Sequence, residues 1–209
     1  MHIDIGRQLG AVNRGVTNRE VDGKPAKATS MAQTYATSPD DLWSAITTAD
    51  RIPRWLAPIE GDLRLGGRYQ LKGNAGGTIL VCEPPRHLRV TWEFGGGMSW
   101  VEAWIEPLDA QSSRLTVEHL AFVDEHWKKF GPGAVGVGWD LMLAGLNRHL
   151  GGGAAVTPDE AMAWMMSDEG KSFMGQSSAA WCAADIAGGS DPDEAKAAGA
   201  RTITAYTGA

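Results

Sequence analysis

The sequence lacks most of the patterns that would place it in a specialised class of proteins. Its two cysteines, Cys82 and Cys182, lie far apart and in no CxxC or metal-ligand spacing, which disfavours a disulfide framework and a zinc site. No apolar run approaches the ~18 residues that a membrane-spanning helix needs. Residues 1–14 carry charges where a secretory signal would have its apolar core. We therefore expect a cytoplasmic protein with reduced thiols and no membrane partner.

A basic surface is also missing. The chain has 19 Lys and Arg residues against 25 Asp and Glu residues, which gives a formal net charge of −6. Because proteins that bind duplex DNA neutralise its phosphates with a basic face, nucleic acid is not expected as a partner. Apolar residues make up 43% of the composition and charged residues 21%, which is typical of a globular protein.

Signatures of common catalytic sites do not occur either. The glycines of "GNAGG" and "FGGG" are not followed by the Lys-Ser/Thr pair of a phosphate-binding loop, and there is no GxSxG nucleophile elbow. Asp124, Glu125 and His126 are adjacent, and adjacent residues of a loop rarely converge on one metal ion. The sequence therefore predicts no metal site and no cofactor, and it identifies no catalytic residue.

The order of apolar and turn-forming residues predicts an α+β architecture. The apolar residues Ile5, Leu9, Val12 and Val16 suggest a short amphipathic helix or an extended arm, followed by an Asp-Gly turn and a strand over about 26–36. A helix begins at Ser38, which is followed by Pro39 and two acidic residues.

Short strands and helices account for the rest of the chain. Residues 61–120 read as a meander of strands separated by Gly- and Pro-rich turns. A long helix follows, since one stripe of its surface carries Trp139, Met142, Leu143, Leu146 and Leu150. Residues 157–208 predict three further helices.

Five segments of the chain, in this order, resemble the START/birch-pollen-allergen (SRPBCC) superfamily, in the branch named after activators of the ninety-kilodalton heat-shock ATPase. They are "YATSPDDLWSAITTADRIPRWLAP", "GDLRLGGRYQL", "EPPRHLRVTW", "IEPLDAQSSRLTVEHLAF" and "GWDLMLAGLNRHL". The resemblance covers residues 34–150. It implies a helix-grip fold, in which a curved antiparallel sheet wraps around one long helix, with extra helices at the C-terminus. We expect residues 1–150 to form this domain, with an N-terminal arm over 1–28, and residues 151–209 to form a helical extension.

The resemblance also implies which side chains face a cavity between the sheet and the long helix. We predict a ligand-binding site formed by Trp55, Tyr69, Leu80, Trp92, Ala103, His119, Trp139 and Leu143. Functionally, His119 would hydrogen-bond a ligand or act as a general acid or base. Alternatively, it is a core histidine bonded to a backbone carbonyl or a water, and the large side chains simply fill the interior.

Three functions remain open at this stage. The first is a non-enzymatic binding protein for a small hydrophobic or aromatic molecule. The second is a cyclase- or hydrolase-like enzyme that uses His119. The third is a co-chaperone-like or other protein-interaction module, as the resemblance to heat-shock ATPase activators suggests. The sequence favours binding over catalysis, because no second polar group beside His119 can be identified.

The stretch "GMSWVEAWIEP" is apolar on both faces of its predicted strand. The family register turns Val101, Ala103 and Ile105 inward, so Trp100 and Trp104 should point outward. Two exposed tryptophans would form an unusual patch. We therefore expect the helices of residues 157–208 to cover them, either in the same chain or across a homodimer.

Overall fold

The computed structural model describes residues 3–208, which form eight strands, seven α-helices and one short 3-10 helix. The strands are β1 (Asn13–Val21), β2 (Lys24–Tyr35), β3 (Ile59–Gly61), β4 (Arg68–Leu71), β5 (Gly76–Glu83), β6 (His87–Phe94), β7 (Gly97–Asp109) and β8 (Ser112–Phe122). The α-helices are α1 (Ile5–Gly10), α2 (Pro39–Thr47), α3 (Glu125–Phe130), α4 (Gly133–Leu150), α5 (Pro158–Met166), α6 (Asp168–Ala187) and α7 (Pro192–Thr207). The 3-10 helix spans Ile52–Arg54.

The strands form one sheet in the order β1-β2-β8-β7-β6-β5-β4-β3. From β3 to β8 each strand pairs antiparallel with the next one along the chain, which is the meander that the turn residues predict. The mixture of this sheet with α4 and three C-terminal helices confirms the α+β architecture.

The described chain divides into two compact units. The sheet unit comprises residues 31–121 and 145–155. The helical unit comprises the described residues through Ser30, residues 122–144, and those from Val156 onward. This grouping differs from the linear division at residue 150 that we expected, since the N-terminal segment and the first part of α4 belong with the C-terminal helices.

An apolar cluster holds the helical unit together. Its side chains come from α1, α4, α5 and α6, and its buried members are Leu9, Val137, Ala144, Trp164, Phe173 and Met174. Trp164, Phe173 and Met174 belong to the helices that we expected to cover Trp100 and Trp104, and they are buried here among residues of α1 and α4. Their burial no longer argues for a cover over the outer face of β7.

A buried ion pair connects three elements of the helical unit. The Arg14 guanidinium donates to both carboxylate oxygens of Asp140, over 3.2 and 2.9 Å. The Ser177 hydroxyl and the Trp181 indole N–H donate to the same carboxylate, over 2.5 and 3.1 Å. Because the charge is matched and the oxygens are satisfied, the buried carboxylate fixes β1, α4 and α6 in one arrangement.

The N-terminal segment contains both of the forms that we allowed for it. Ile5 and Leu9 lie in the short helix α1, and Val16 lies in the extended strand β1, which the Asp22-Gly23 turn connects to β2 as a hairpin. Glu125 and His126, which we placed in a loop, instead lie in α3. Asp124 caps this helix by accepting from the Trp127 N–H over 2.8 Å.

Within residues 3–208, no group of His, Cys, Asp and Glu side chains is arranged to hold a metal ion. None of the helices described there is both long and apolar enough to cross a membrane.

Candidate ligand-binding site

One face of the sheet unit is buried, and strand register decides which residues lie on it. Val90 pairs with Val101, and Val101 pairs with His119, so these three side chains share a face. The same register brings Leu88, Ala103 and Val117 to that face. Val90, Val101, Ala103, Val117 and His119 are all buried, which confirms that Val101 and Ala103 turn inward. We call this side of β4–β8 the inner face.

His119 is the polar residue at the centre of the inner face. Its Nε2 atom lies 2.8 Å from the Ser99 hydroxyl, and that hydroxyl donates to the backbone carbonyl of Trp92 over 3.1 Å. A serine hydroxyl has only one proton. Both contacts are therefore satisfied when Nε2 carries the imidazole proton and donates it to Ser99. The Trp92 ring meets His119 edge-on, with the centroids 6.1 Å apart.

The environment keeps His119 uncharged at neutral pH. The side chain is 5% exposed, and this burial lowers its pKa from 6.5 to about 4. A histidine with so low a pKa is a weak general base near pH 7. As a neutral group within an apolar wall, it is instead suited to a hydrogen bond.

The polar atoms of Tyr69 and Trp55, two of the predicted site residues, already have partners in the protein. The Tyr69 hydroxyl donates to the carbonyl of Thr91 over 2.8 Å, and burial raises the pKa of this phenol. The Trp55 indole N–H donates to the carbonyl of Ala45 over 2.9 Å. The Tyr69 hydroxyl already donates its proton to the backbone, so this proton is not available to a ligand.

Leu80 is not an inner-face residue. Ile79 pairs with Val90 while Val81 pairs with Arg89, so two steps along β5 oppose a single step along β6. This β-bulge puts the extra residue, Leu80, on the opposite side of the sheet, where it is 41% exposed. Its prediction as a ligand-binding residue is wrong, and strand alternation alone does not reveal the irregularity.

The two remaining predicted site residues, Trp139 and Leu143, lie in the part of α4 that belongs to the helical unit. Both are buried, and their assignment to the site stays a prediction. Ser99, by contrast, is a polar group of the inner face that the sequence analysis missed. Its position directly opposite Trp92 across the β6–β7 hairpin is the signal that points to it.

The outer face of the same strands explains how Trp104 is accommodated. Its ring stacks on His87, with centroids 5.5 Å apart and planes 7° from parallel. The Nε2 atom of His87 lies 2.6 Å from a carboxylate oxygen of Glu102. Trp104 is consequently only partly exposed, because a neighbouring strand covers one side of its ring.

The helical unit contains a separate cleft of about 610 Å³. Its lining is strongly charged, with Lys27, Lys128 and Arg201 set against Asp185 and Glu194. Asp185 accepts from the Ser190 hydroxyl over 2.7 Å. Three cationic and two anionic side chains thus line the cleft, so it differs in character from the inner face. They lie far apart in the sequence and leave no local signal.

Comparison with known proteins places this geometry in a family. The profile described as "Activator of Hsp90 ATPase homolog 1-like protein" matches residues 36–151. The chain therefore belongs to this family, within the SRPBCC superfamily, and its eight-stranded α+β architecture is the helix-grip fold. The predicted resemblance is confirmed. A search of curated proteins finds no match.

Solved structures extend the similarity beyond that profile. The crystal structure of CalU16 from Micromonospora echinospora is 30% identical with a TM-score of 0.65, over 83% of this chain and 98% of that protein. Its solution NMR structure gives 32% identity and a TM-score of 0.72, over 85% and 97%. MLL2253 from Mesorhizobium loti, at 19% identity and a TM-score of 0.53 over 59% of this chain and 96% of that one, shares the fold.

Proposed function

We propose that the protein binds a small hydrophobic or aromatic molecule at the inner face of its sheet. The observation that carries the proposal is the cluster of His119, Ser99 and Trp92. It places one neutral hydrogen-bonding group beside an aromatic ring in an otherwise apolar wall. Sites for small molecules combine these features, because apolar surface supplies affinity and a few polar groups fix orientation.

Five residues of the sheet unit carry this role. Trp92 and Ala103 form part of the apolar wall of the site. His119 offers the polar contact, and Tyr69 and Trp55 add aromatic surface. Trp139 and Leu143 lie in the helical unit, and their part in binding stays a prediction from the sequence. Membership of the SRPBCC superfamily supports the proposal, because carriers of small hydrophobic molecules are among its members.

The second candidate, acid–base catalysis by His119, is less well supported. Burial holds the pKa of His119 at about 4, and the group 2.8 Å from Nε2 is the Ser99 hydroxyl rather than a carboxylate. The third candidate, a protein-interaction module, has one supporting feature. Phe94 and Met98 are exposed at the tip of the β6–β7 hairpin. Capture experiments with Phe94→Ser and Met98→Ser variants test whether this tip binds a protein.

The binding proposal is tested by thermal denaturation with a panel of fatty acids, polyketide-like aromatics and flavonoids. A ligand at 100 times its dissociation constant stabilises the folded state by about 2.7 kcal/mol. For a chain of this size that corresponds to a rise of roughly 5–10 °C in Tm. We expect at least one member of the panel to give a saturable rise.

Two tryptophan variants on opposite faces of the sheet form the matched comparison. Trp92→Ala should weaken or abolish the saturable rise, while Trp104→Ala should keep the wild-type dissociation constant because Trp104 lies on the outer face. The proposal is wrong if no compound shifts Tm, or if Trp92→Ala binds every active compound as tightly as the wild type does.

A further inference from the structure

The helical unit buries a carboxylate that is only half satisfied. Asp185 of α6 is 5% exposed. Its Oδ1 atom accepts from the Ser190 hydroxyl over 2.7 Å, and no donor to Oδ2 is found among residues 3–208. These residues provide no ion-pair partner for the carboxylate either. Because buried charges in proteins are paired, this carboxylate is suited to receive a cation from outside the chain.

The unpartnered oxygen faces the cleft of about 610 Å³ that Asp185 lines. A Cβ atom built on Gly131, which follows α3, would lie 3.7 Å from Oδ2 and 3.4 Å from the Cβ of Ala198 in α7. Gly131 and Ala198 also line the cleft, so Oδ2 lies where its walls from α3, α6 and α7 meet. Oδ2 is not among the unpaired polar atoms of the described chain that are closed off from solvent. A ligand in the cleft is therefore able to reach it.

The local charges favour a cation at this oxygen. Asp185 lies near the C-terminus of α6, where the helix dipole is negative and the last turn carries no basic side chain. Glu194, an exposed residue of α7, adds a second carboxylate to the lining. The Lys27 ammonium donates to the Ser190 hydroxyl over 3.4 Å and forms no ion pair with Asp185. The space at Oδ2 thus remains available to a positive group.

The other two cations of the lining lie at the exposed rim and already have partners. The Lys128 ammonium lies 2.7 Å from the Glu125 carboxylate, and Nε of Arg201 donates to the Lys129 carbonyl over 2.6 Å. Exposed charges stay hydrated and are screened by salt. The buried carboxylate of Asp185 is consequently the group of this cleft that a charged ligand would engage most strongly.

We propose that the cleft binds a small organic amine, whose ammonium group donates a hydrogen bond to Oδ2 of Asp185. The carbon skeleton of the amine would rest on Trp127, which is half-buried, and on the buried alanines Ala195 and Ala198. This is a second site, confined to the helical unit, and it goes beyond the ligand proposed for the inner face of the sheet.

The test compares two amines with the alcohols that match them in shape. 2-Phenylethylamine is paired with 2-phenylethanol, and butylamine with 1-butanol, so that the role of an aromatic ring is tested separately from that of the charge. Binding is followed by NMR at the backbone amides of Gly131 and Ala198, which flank Oδ2. We expect both signals to shift and saturate with at least one amine. The matching alcohol should bind about tenfold more weakly, because hydrogen bonds to charged groups are the stronger ones.

Three variants identify the group that holds the amine. Asp185→Asn keeps an oxygen for the Ser190 hydroxyl but has no charge, so it should weaken amine binding about tenfold. Asp168→Asn makes the same change of charge at the opposite, exposed end of α6 and should leave the dissociation constant unchanged. Lys27→Gln removes a positive charge from the cleft and should tighten amine binding. Circular dichroism and Tm verify that each variant is folded.

The inference is overturned if neither amine gives a saturable shift at Gly131 and Ala198, or if each alcohol binds as tightly as its amine. It is also wrong if folded Asp185→Asn binds the amines as the wild type does, or if Lys27→Gln binds them more weakly. These results leave the proposed function of the inner face untouched, because that function is measured with other compounds and at Trp92 in the sheet unit.

Discussion

Protonation of His119 should make the stability of the protein depend on pH in the acid range. The unfolded chain takes up a proton at this residue below its ordinary pKa of 6.5, whereas the folded protein does so only near 4. Between these values the unfolded state binds more protons, so the free energy of unfolding falls as the pH is lowered. A difference of roughly 2.5 pKa units is worth about 3 kcal/mol at 1.36 kcal/mol per unit.

The matched variant for this measurement is His119→Gln. Glutamine carries an amide that is able to hydrogen-bond the Ser99 hydroxyl, yet it has no charge to gain. Urea unfolding at intervals from pH 7.5 to pH 4 gives the free energy of unfolding of both proteins. The wild type should lose about 2–3 kcal/mol more than the variant over this range, with most of the loss below pH 6.5.

His126→Gln, which replaces an exposed histidine of α3, is the control for the substitution itself. The reasoning is refuted if the free energy of unfolding changes with pH in the same way for the wild type and for His119→Gln. This result would mean that His119 is not desolvated in the folded protein or that it gains a carboxylate partner on protonation.

Two further predictions concern the helical unit. Gly136→Ala would place a Cβ atom within about 2.4 Å of the buried Trp181 ring, so thermal unfolding should show a loss of about 1–3 kcal/mol in the free energy of unfolding. Gly175→Ala, where nothing lies within 4 Å, should instead stabilise α6 by up to ~1 kcal/mol. Equal effects of the two substitutions would contradict this packing. Asp140→Ala leaves the buried Arg14 guanidinium without its carboxylate and should cost about 3–5 kcal/mol in urea unfolding. A loss below 1 kcal/mol would mean that solvent reaches this arginine.

Local sequence signals predicted the regular elements of the fold well. Ser38 followed by Pro39 marks the start of α2, and the Gly- and Pro-rich turns mark the strands from β3 to β8. The inward set of β7 followed from the family register, because the strand is apolar on both faces, and Val101, Ala103 and Ile105 are indeed buried. These features depend on capping and strand period, which are properties of a short stretch of chain.

Features that depend on pairing between distant segments could not be predicted in the same way. Leu80 was placed inward because a bulge is visible only once Ile79 and Val81 are matched with β6. The grouping of the N-terminal segment with the C-terminal helices includes the ion pair of Asp140, whose partners Arg14 and Trp181 are remote in sequence.

The candidate site shows the same division. His119 and Trp92 were found from their strand positions and their aromatic or titratable character. Ser99 was missed, because a lone serine in a strand gives no sign of its hydrogen bonding. Only the three-dimensional structure shows that Ser99 contacts His119.

The most direct test of the binding function is an NMR titration followed at the indole N–H groups. The protein has nine tryptophans, and single Trp→Phe variants assign the signals of Trp92 and Trp181. On titration with flavanone and with the tightest-binding compound of the panel, the Trp92 signal should shift and saturate. The Trp181 signal, whose N–H is bonded to Asp140 in the helical unit, should stay in place. An unmoved Trp92 signal, or saturable movement at Trp181 alone, would contradict binding at the inner face.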